Sequence, residues 1–111
     1  MSALSTHVLD TALGRPAAGV PVELAASTDD GGWRVLASGT TDDDGRVTAI
    51  GPDRVAPGRY RFTFDTAAYF AATGQAAFHP EVVVVFQVAD DGHYHVPLLL
   101  SPFAYSTYRG S

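Results

Sequence analysis

Turn signals recur along nearly the whole chain and confine it to short elements. Gly14-Arg15-Pro16, Asp29-Asp30-Gly31-Gly32, Asp42-Asp43-Asp44-Gly45, Asp90-Asp91-Gly92 and Ser101-Pro102 each supply fixed or left-handed backbone angles. Strands are expected between them, over residues 6–11, 20–27, 33–38, 46–50, 59–65, 82–88, 93–101 and 103–109. The clearest alternation puts Tyr60, Phe62 and Phe64 on one face, with Arg59, Arg61, Thr63 and Asp65 on the other. Residues 66–73 read as the one helix, capped by Asp65 or Thr66 and stopped by Gly74. Residues 82–88 are apolar on both faces, which predicts a central strand covered twice. About eight strands and one short helix make an all-β sandwich the leading architecture. Residues 1–111 read as a single domain without repeat or linker.

Composition narrows the classes. The 111 residues are 46% apolar, ordinary for a core, and a domain of this size buries roughly two-thirds of its unfolded surface. Cysteine is absent, so disulfides and thiolate metal sites are excluded. Lysine is absent too, which removes Schiff-base chemistry and the P-loop. A net charge of −5 without a basic cluster argues against nucleic acid. The longest apolar run, residues 82–86, is too short to span a bilayer, so no membrane partner is expected. No basic segment followed by an apolar stretch opens the chain, and a cytoplasmic location is the expectation. The three carboxylates of residues 42–44 read as a solvated turn, since no bidentate Glu follows at calcium-loop spacing.

One face is out of place in a monomer. In residues 93–101, Tyr94, Val96, Leu98 and Leu100 look like core, while His93, His95, Pro97 and Leu99 share the opposite face. A mid-strand proline cannot complete a ladder, so its donor side should meet solvent or another subunit. Leu99 beside it calls for a subunit interface. His7 and Leu9 share one parity in the first strand, and Ser106, Tyr108 and Gly110 share one in the last. If these three strands are neighbours, His7, His95 and Tyr108 converge at the edge of an oligomer cleft.

Three segments carry a resemblance: residues 4–10 (Leu-Ser-Thr-His-Val-Leu-Asp) with Gly14-Arg15-Pro16-Ala17; residues 41–46 (Thr-Asp-Asp-Asp-Gly-Arg); and residues 95–102 running into the Tyr108-Arg109-Gly110-Ser111 ending. In these the chain resembles the transthyretin-related 5-hydroxyisourate hydrolases. The resemblance implies a transthyretin-like (prealbumin-like) sandwich assembled as a homotetramer, a dimer of dimers with ligand clefts between dimers. It implies hydrolysis of 5-hydroxyisourate to 2-oxo-4-hydroxy-4-carboxy-5-ureidoimidazoline in urate degradation. It places catalysis on His7, Arg46, His95 and Ser111, and substrate binding on His7, Arg46, Tyr108, Arg109 and Gly110. His79, although inside a family-like segment, is given no catalytic role.

These residue types suit opening a cyclic amide. A histidine with an ordinary pKa near 6.5 can take a proton from water at neutral pH, and two can divide the transfers. Which of His7 and His95 is the base stays open. Arg46 is suited to gripping purine oxygens and offsetting negative charge. Ser111 lacks the strained elbow of a covalent nucleophile and is expected to orient a histidine or the water, through its hydroxyl or the terminal carboxylate. Taken alone, His7 and His93 would be surface histidines, and Arg46 a solvated strand start. No cofactor is expected, and no metal: His7 and His95 lack a third ligand. Two other classes compete. One is a thyroid-hormone type carrier, against which stand His7 where the carrier has lysine and the Tyr-Arg-Gly-Ser ending. The other is a structural sandwich module, which leaves His7, Arg46 and the tail unexplained.

Overall fold

A computed structural model describes residues 3–47 and 50–111. The elements run β1 (Leu4–Asp10), β2 (Arg15–Pro16), β3 (Pro21–Ser27), β4 (Trp33–Thr40), β5 (Arg46–Val47), β6 (Gly58–Phe64), α1 (Thr66–Ala72), β7 (Val82–Val88), β8 (Tyr94–Leu100) and β9 (Tyr105–Thr107). Two sheets face each other. One has the order β2-β1-β8-β9 with β5 also on β1, and the other the order β4-β3-β6-β7. The β1–β8 pair is parallel and every other pair antiparallel.

Alternation assigns the inner faces. Leu4, Thr6, Val8 and Asp10 of β1 are buried while Ser5, His7 and Leu9 are only half-buried. Tyr60, Phe62 and Phe64 point into the core, as expected, beside Val22, Leu24, Val96, Leu98 and Leu100. Asp65 caps α1 by accepting from the Ala68 N–H at 3.0 Å, and Gly74 (φ 68°) follows the last turn. The helix is tied to β1 through Asp10, a buried carboxylate that accepts from Tyr69 Oη at 2.6 Å, Gln75 Nε2 at 3.1 Å and the Leu13 N–H at 2.9 Å. Burial acts to raise the Asp10 pKa, but these donors together outweigh it and hold the group below its ordinary value. The same burial, with the bond to Asp10, pushes Tyr69 up to about 12.

Several expectations need correction. Residues 82–88 do not form a central strand. β7 is an edge strand bonded to β6, with Val83 and Val85 exposed. Apolarity on both faces is the same whether a strand lies inside its own sheet or at an edge that another surface completes. The turn at residues 14–16 holds a short ladder, because Arg15 and Pro16 pair with Asp10 and Leu9. β4 runs on to Thr40, and β1 begins at Leu4. The strand expected over 46–50 is observed at Arg46–Val47; residues 48 and 49 lie outside the described residues.

Candidate active site

The outer face of the β2-β1-β8-β9 sheet collects the chemistry. Arg46 on β5 lies directly opposite His7 on β1, and His7 opposite Pro97 on β8. One step along, Ser5 lies opposite His95, and His95 opposite Gly110. Paired residues share a sheet face, so Arg46, His7, Ser5 and His95 stand together. The expected adjacency of the first, penultimate and last strands is therefore present.

Local chemistry explains how each arrives. Asp42 folds the turn before β5: its Oδ1 accepts from the N–H groups of Asp44 (2.9 Å) and Arg46 (3.0 Å). This acidic turn thus sets where Arg46 starts. Gly45, at φ 76°, donates to the Asp42 carbonyl and accepts from the Val8 N–H at 2.7 Å. A Cβ there would collide with the Val8 carbonyl oxygen and press on Pro16, so only glycine lets β5 lie against β1.

The tail is held by its own ladder. Leu98 opposite Thr107 and His95 opposite Gly110 keep one register, so Pro97 and Val96 lie opposite Tyr108 and Arg109. Pro97 is buried, and its donor-free side meets this terminal segment rather than solvent or another subunit, correcting that expectation. The missing N–H interrupts the ladder there; the Pro97 carbonyl instead accepts from Thr107 Oγ1 at 2.6 Å. Past the gap, the Gly110 N–H donates to the His95 carbonyl at 2.8 Å.

Hydrogen bonds constrain the two rings differently. His7 Nε2 lies 2.8 Å from the Asp44 carbonyl oxygen, which can only accept. Nε2 therefore carries a proton, and in the neutral ring the lone pair is on Nδ1. His95 Nδ1 lies 2.8 Å from Ser5 Oγ, and the same oxygen lies 2.9 Å from His93 Nε2. The His95 pKa is lowered from 6.5, first by burial and then by the electrostatic influence of Arg46 and of the imidazoles of His7 and His93. This depression favours the neutral ring.

Not every expected residue reaches this face. Tyr108 shares its parity and is exposed, and Ser111 follows Gly110, also exposed. Arg109 has the opposite parity. Its guanidinium stacks 4.3 Å above the Tyr94 ring, beside Asp90, so in this chain it anchors the tail. His95, Tyr108 and Arg109 also border a cavity of about 320 Å³ against Val84 and Phe86 of β7. His79 lies elsewhere, edge-on to Phe78 and Tyr105. Sequence reading passed over Ser5 and set His93 aside. The available signal was parity: Ser5 is two residues from His7, and His93 two from His95. Among the described residues, no group of three or more His, Cys, Asp or Glu side chains is arranged to hold a metal.

Such a two-sheet sandwich, with three histidines and an arginine on one outer face beside a bound tail, defines a transthyretin-like protein with a polar site. The chain belongs to the HIUase/Transthyretin family, whose model matches residues 4–110. It is 49% identical over 110 residues to the 5-hydroxyisourate hydrolase of Salmonella typhimurium, covering 97% of this chain and 80% of that one. The solved 5-hydroxyisourate hydrolase of Klebsiella pneumoniae superposes with a TM-score of 0.86 at 37% identity, over 97% of this chain and 98% of that one. Sea bream transthyretin in complex with thyroxine superposes with a TM-score of 0.91 at 38% identity, over 96% and 93%. Backbone likeness alone therefore does not separate hydrolase from carrier; the site must.

Proposed function

We propose that this protein hydrolyses 5-hydroxyisourate to 2-oxo-4-hydroxy-4-carboxy-5-ureidoimidazoline in urate degradation. The observation that carries the reading is the grouping of Arg46, His7 and the half-buried His95 on one sheet face. The hydrolases among its relatives support it.

In this reading a water oxygen attacks the ring carbonyl carbon while His95 Nε2 takes its proton. Arg46 offsets the charge that develops on the carbonyl oxygen. The ring C–N bond then breaks, and the proton held by His95 passes to the departing nitrogen, so one water is consumed overall. His7, fixed by the Asp44 carbonyl, presents the lone pair of Nδ1 to a substrate N–H. Tyr108 and Gly110 form the wall beside His95, Arg109 pins that wall, and Ser111 orients the water. The half-buried Leu9 and Leu99, with exposed Tyr105 and Tyr108, support completion of the cleft by further copies in a homotetramer.

The test is ultraviolet decay of freshly generated 5-hydroxyisourate, where acceleration over the spontaneous rate must scale with protein concentration. The carrier reading is favoured by the likeness to thyroxine-bound transthyretin. Calorimetry with thyroxine at micromolar concentration decides against it if no heat of binding appears.

A further inference from the structure

Ser5 Oγ lies within hydrogen-bond distance of two imidazoles at once, 2.8 Å from His95 Nδ1 and 2.9 Å from His93 Nε2. A hydroxyl has one proton and two lone pairs, so it donates to at most one of these rings, and a ring it does not donate to must donate to it. Two arrangements follow. If Ser5 donates to His93, His95 must carry its proton on Nδ1 and leave Nε2 bare. If Ser5 instead donates to His95 Nδ1, His93 donates to it from Nε2, and the His95 proton sits on Nε2.

The two states differ in what His95 can do. A bare Nε2 accepts a proton from water; a protonated Nε2 cannot. His7 has no such freedom, because the Asp44 carbonyl fixes its tautomer. Ser5, unlike that carbonyl, can point either way, so it can hold His95 in either tautomer. We propose that Ser5 is a positioning residue that holds His95 in the Nδ1-protonated tautomer, with His93 as the outer acceptor of the Ser5 proton. The choice between the two arrangements rests on the hydrolase reading above, in which His95 is the base.

The bridge also gives a proton route. When His95 Nε2 takes a proton, its Nδ1 proton can move to Ser5 Oγ as the Ser5 proton moves to His93 Nε2. No bond other than these O–H and N–H bonds forms or breaks, and the charge passes from the half-buried ring to the exposed one. The fixed charge of Arg46 faces His95 from β5 and favours that outward displacement of charge.

The experiment is imidazole nitrogen-15 NMR on the full chain at pH 8, for the wild type and the Ser5→Ala, Ser5→Thr and His93→Ala variants. The wild type and Ser5→Thr should show His95 protonated at Nδ1. Ser5→Ala removes the acceptor, and His93→Ala removes the competitor for the Ser5 proton; both should move the His95 proton to Nε2. In the decay assay, Ser5→Ala should lose about tenfold in kcat with KM little changed, part of the roughly 10²- to 10⁴-fold that a positioned base supplies, and Ser5→Thr should recover it. An unchanged His95 tautomer in both alanine variants overturns the proposal. A tautomer shift in a protein whose wild type leaves 5-hydroxyisourate at its spontaneous rate supports the bridge and overturns the hydrolase reading instead.

Discussion

Gly110 is the position where a single methyl group should separate activity from stability. An added Cβ would stand 2.5 Å from His95 Cδ2, 3.2 Å from Cγ and 3.3 Å from Cβ. Unstrained carbon pairs sit at about 3.5–4.0 Å, so the ring edge must retreat by about 1 Å. Rotation about the ring axis alone does not relieve contacts to Cγ and Cβ. Either the whole side chain swings and leaves Ser5, or the tail lifts and loses the Gly110 N–H bond to the His95 carbonyl. A misplacement of about 1 Å in a reacting group costs on the order of 10²-fold. Loss of one such hydrogen bond costs only about 0.5–1.5 kcal/mol. Gly110→Ala should therefore lower kcat/KM about a hundredfold while Tm falls by roughly 5 °C. Steady-state kinetics and a thermal melt on one preparation test both halves. A variant with kcat/KM within about twofold of wild type would refute the claim that the tail buttresses His95.

Further outcomes follow from the same geometry. Because the His95 pKa is depressed, the acid limb of kcat/KM should have its midpoint below 6.5. Arg46→Met should move the His95 titration upward when followed by NMR. The stability consequence has a definite sign: the unfolded chain binds more protons between the folded value and 6.5, so this contribution is full above 6.5 and is lost as pH falls through the folded value. Asp42→Ala frees the Asp44 and Arg46 N–H groups. It should cost about 1–3 kcal/mol in a denaturant melt and reduce turnover through a displaced Arg46. Tyr69→Phe removes a bond to the buried Asp10 carboxylate and should cost about 1.5–3 kcal/mol without changing KM.

Much of the fold could be read from residue order. Alternation at Tyr60, Phe62 and Phe64 fixed an inner face, and Asp65 with Gly74 bounded the helix, because both signals are local. Periodicity carries no strand order, so the parallel pairing of β1 with β8, which brings Ser5 to His95, was out of its reach. Val82 to Val88 misled for a related reason: apolarity says that a face is covered, not by what. Pro97 was read correctly as a break in a ladder, but the chain's own tail, not a neighbour, lies across the break. The stacking of Arg109 on Tyr94 was equally out of reach, since residue order does not show which ring a terminal guanidinium meets. The acidic turn is solvent-exposed, as its composition says; that the Asp42 carboxylate also accepts from the Arg46 N–H needs the folded turn to be seen.

The central claim concerns the face shared by His7, Arg46 and His95, and the decay of freshly generated 5-hydroxyisourate tests it most directly. Wild-type protein should accelerate the decay in proportion to its concentration. His7→Ala, Arg46→Met and His95→Ala, each shown folded by circular dichroism, should each lose about 10²-fold or more. Undiminished acceleration by the triple variant, or none by the wild type, would contradict the account.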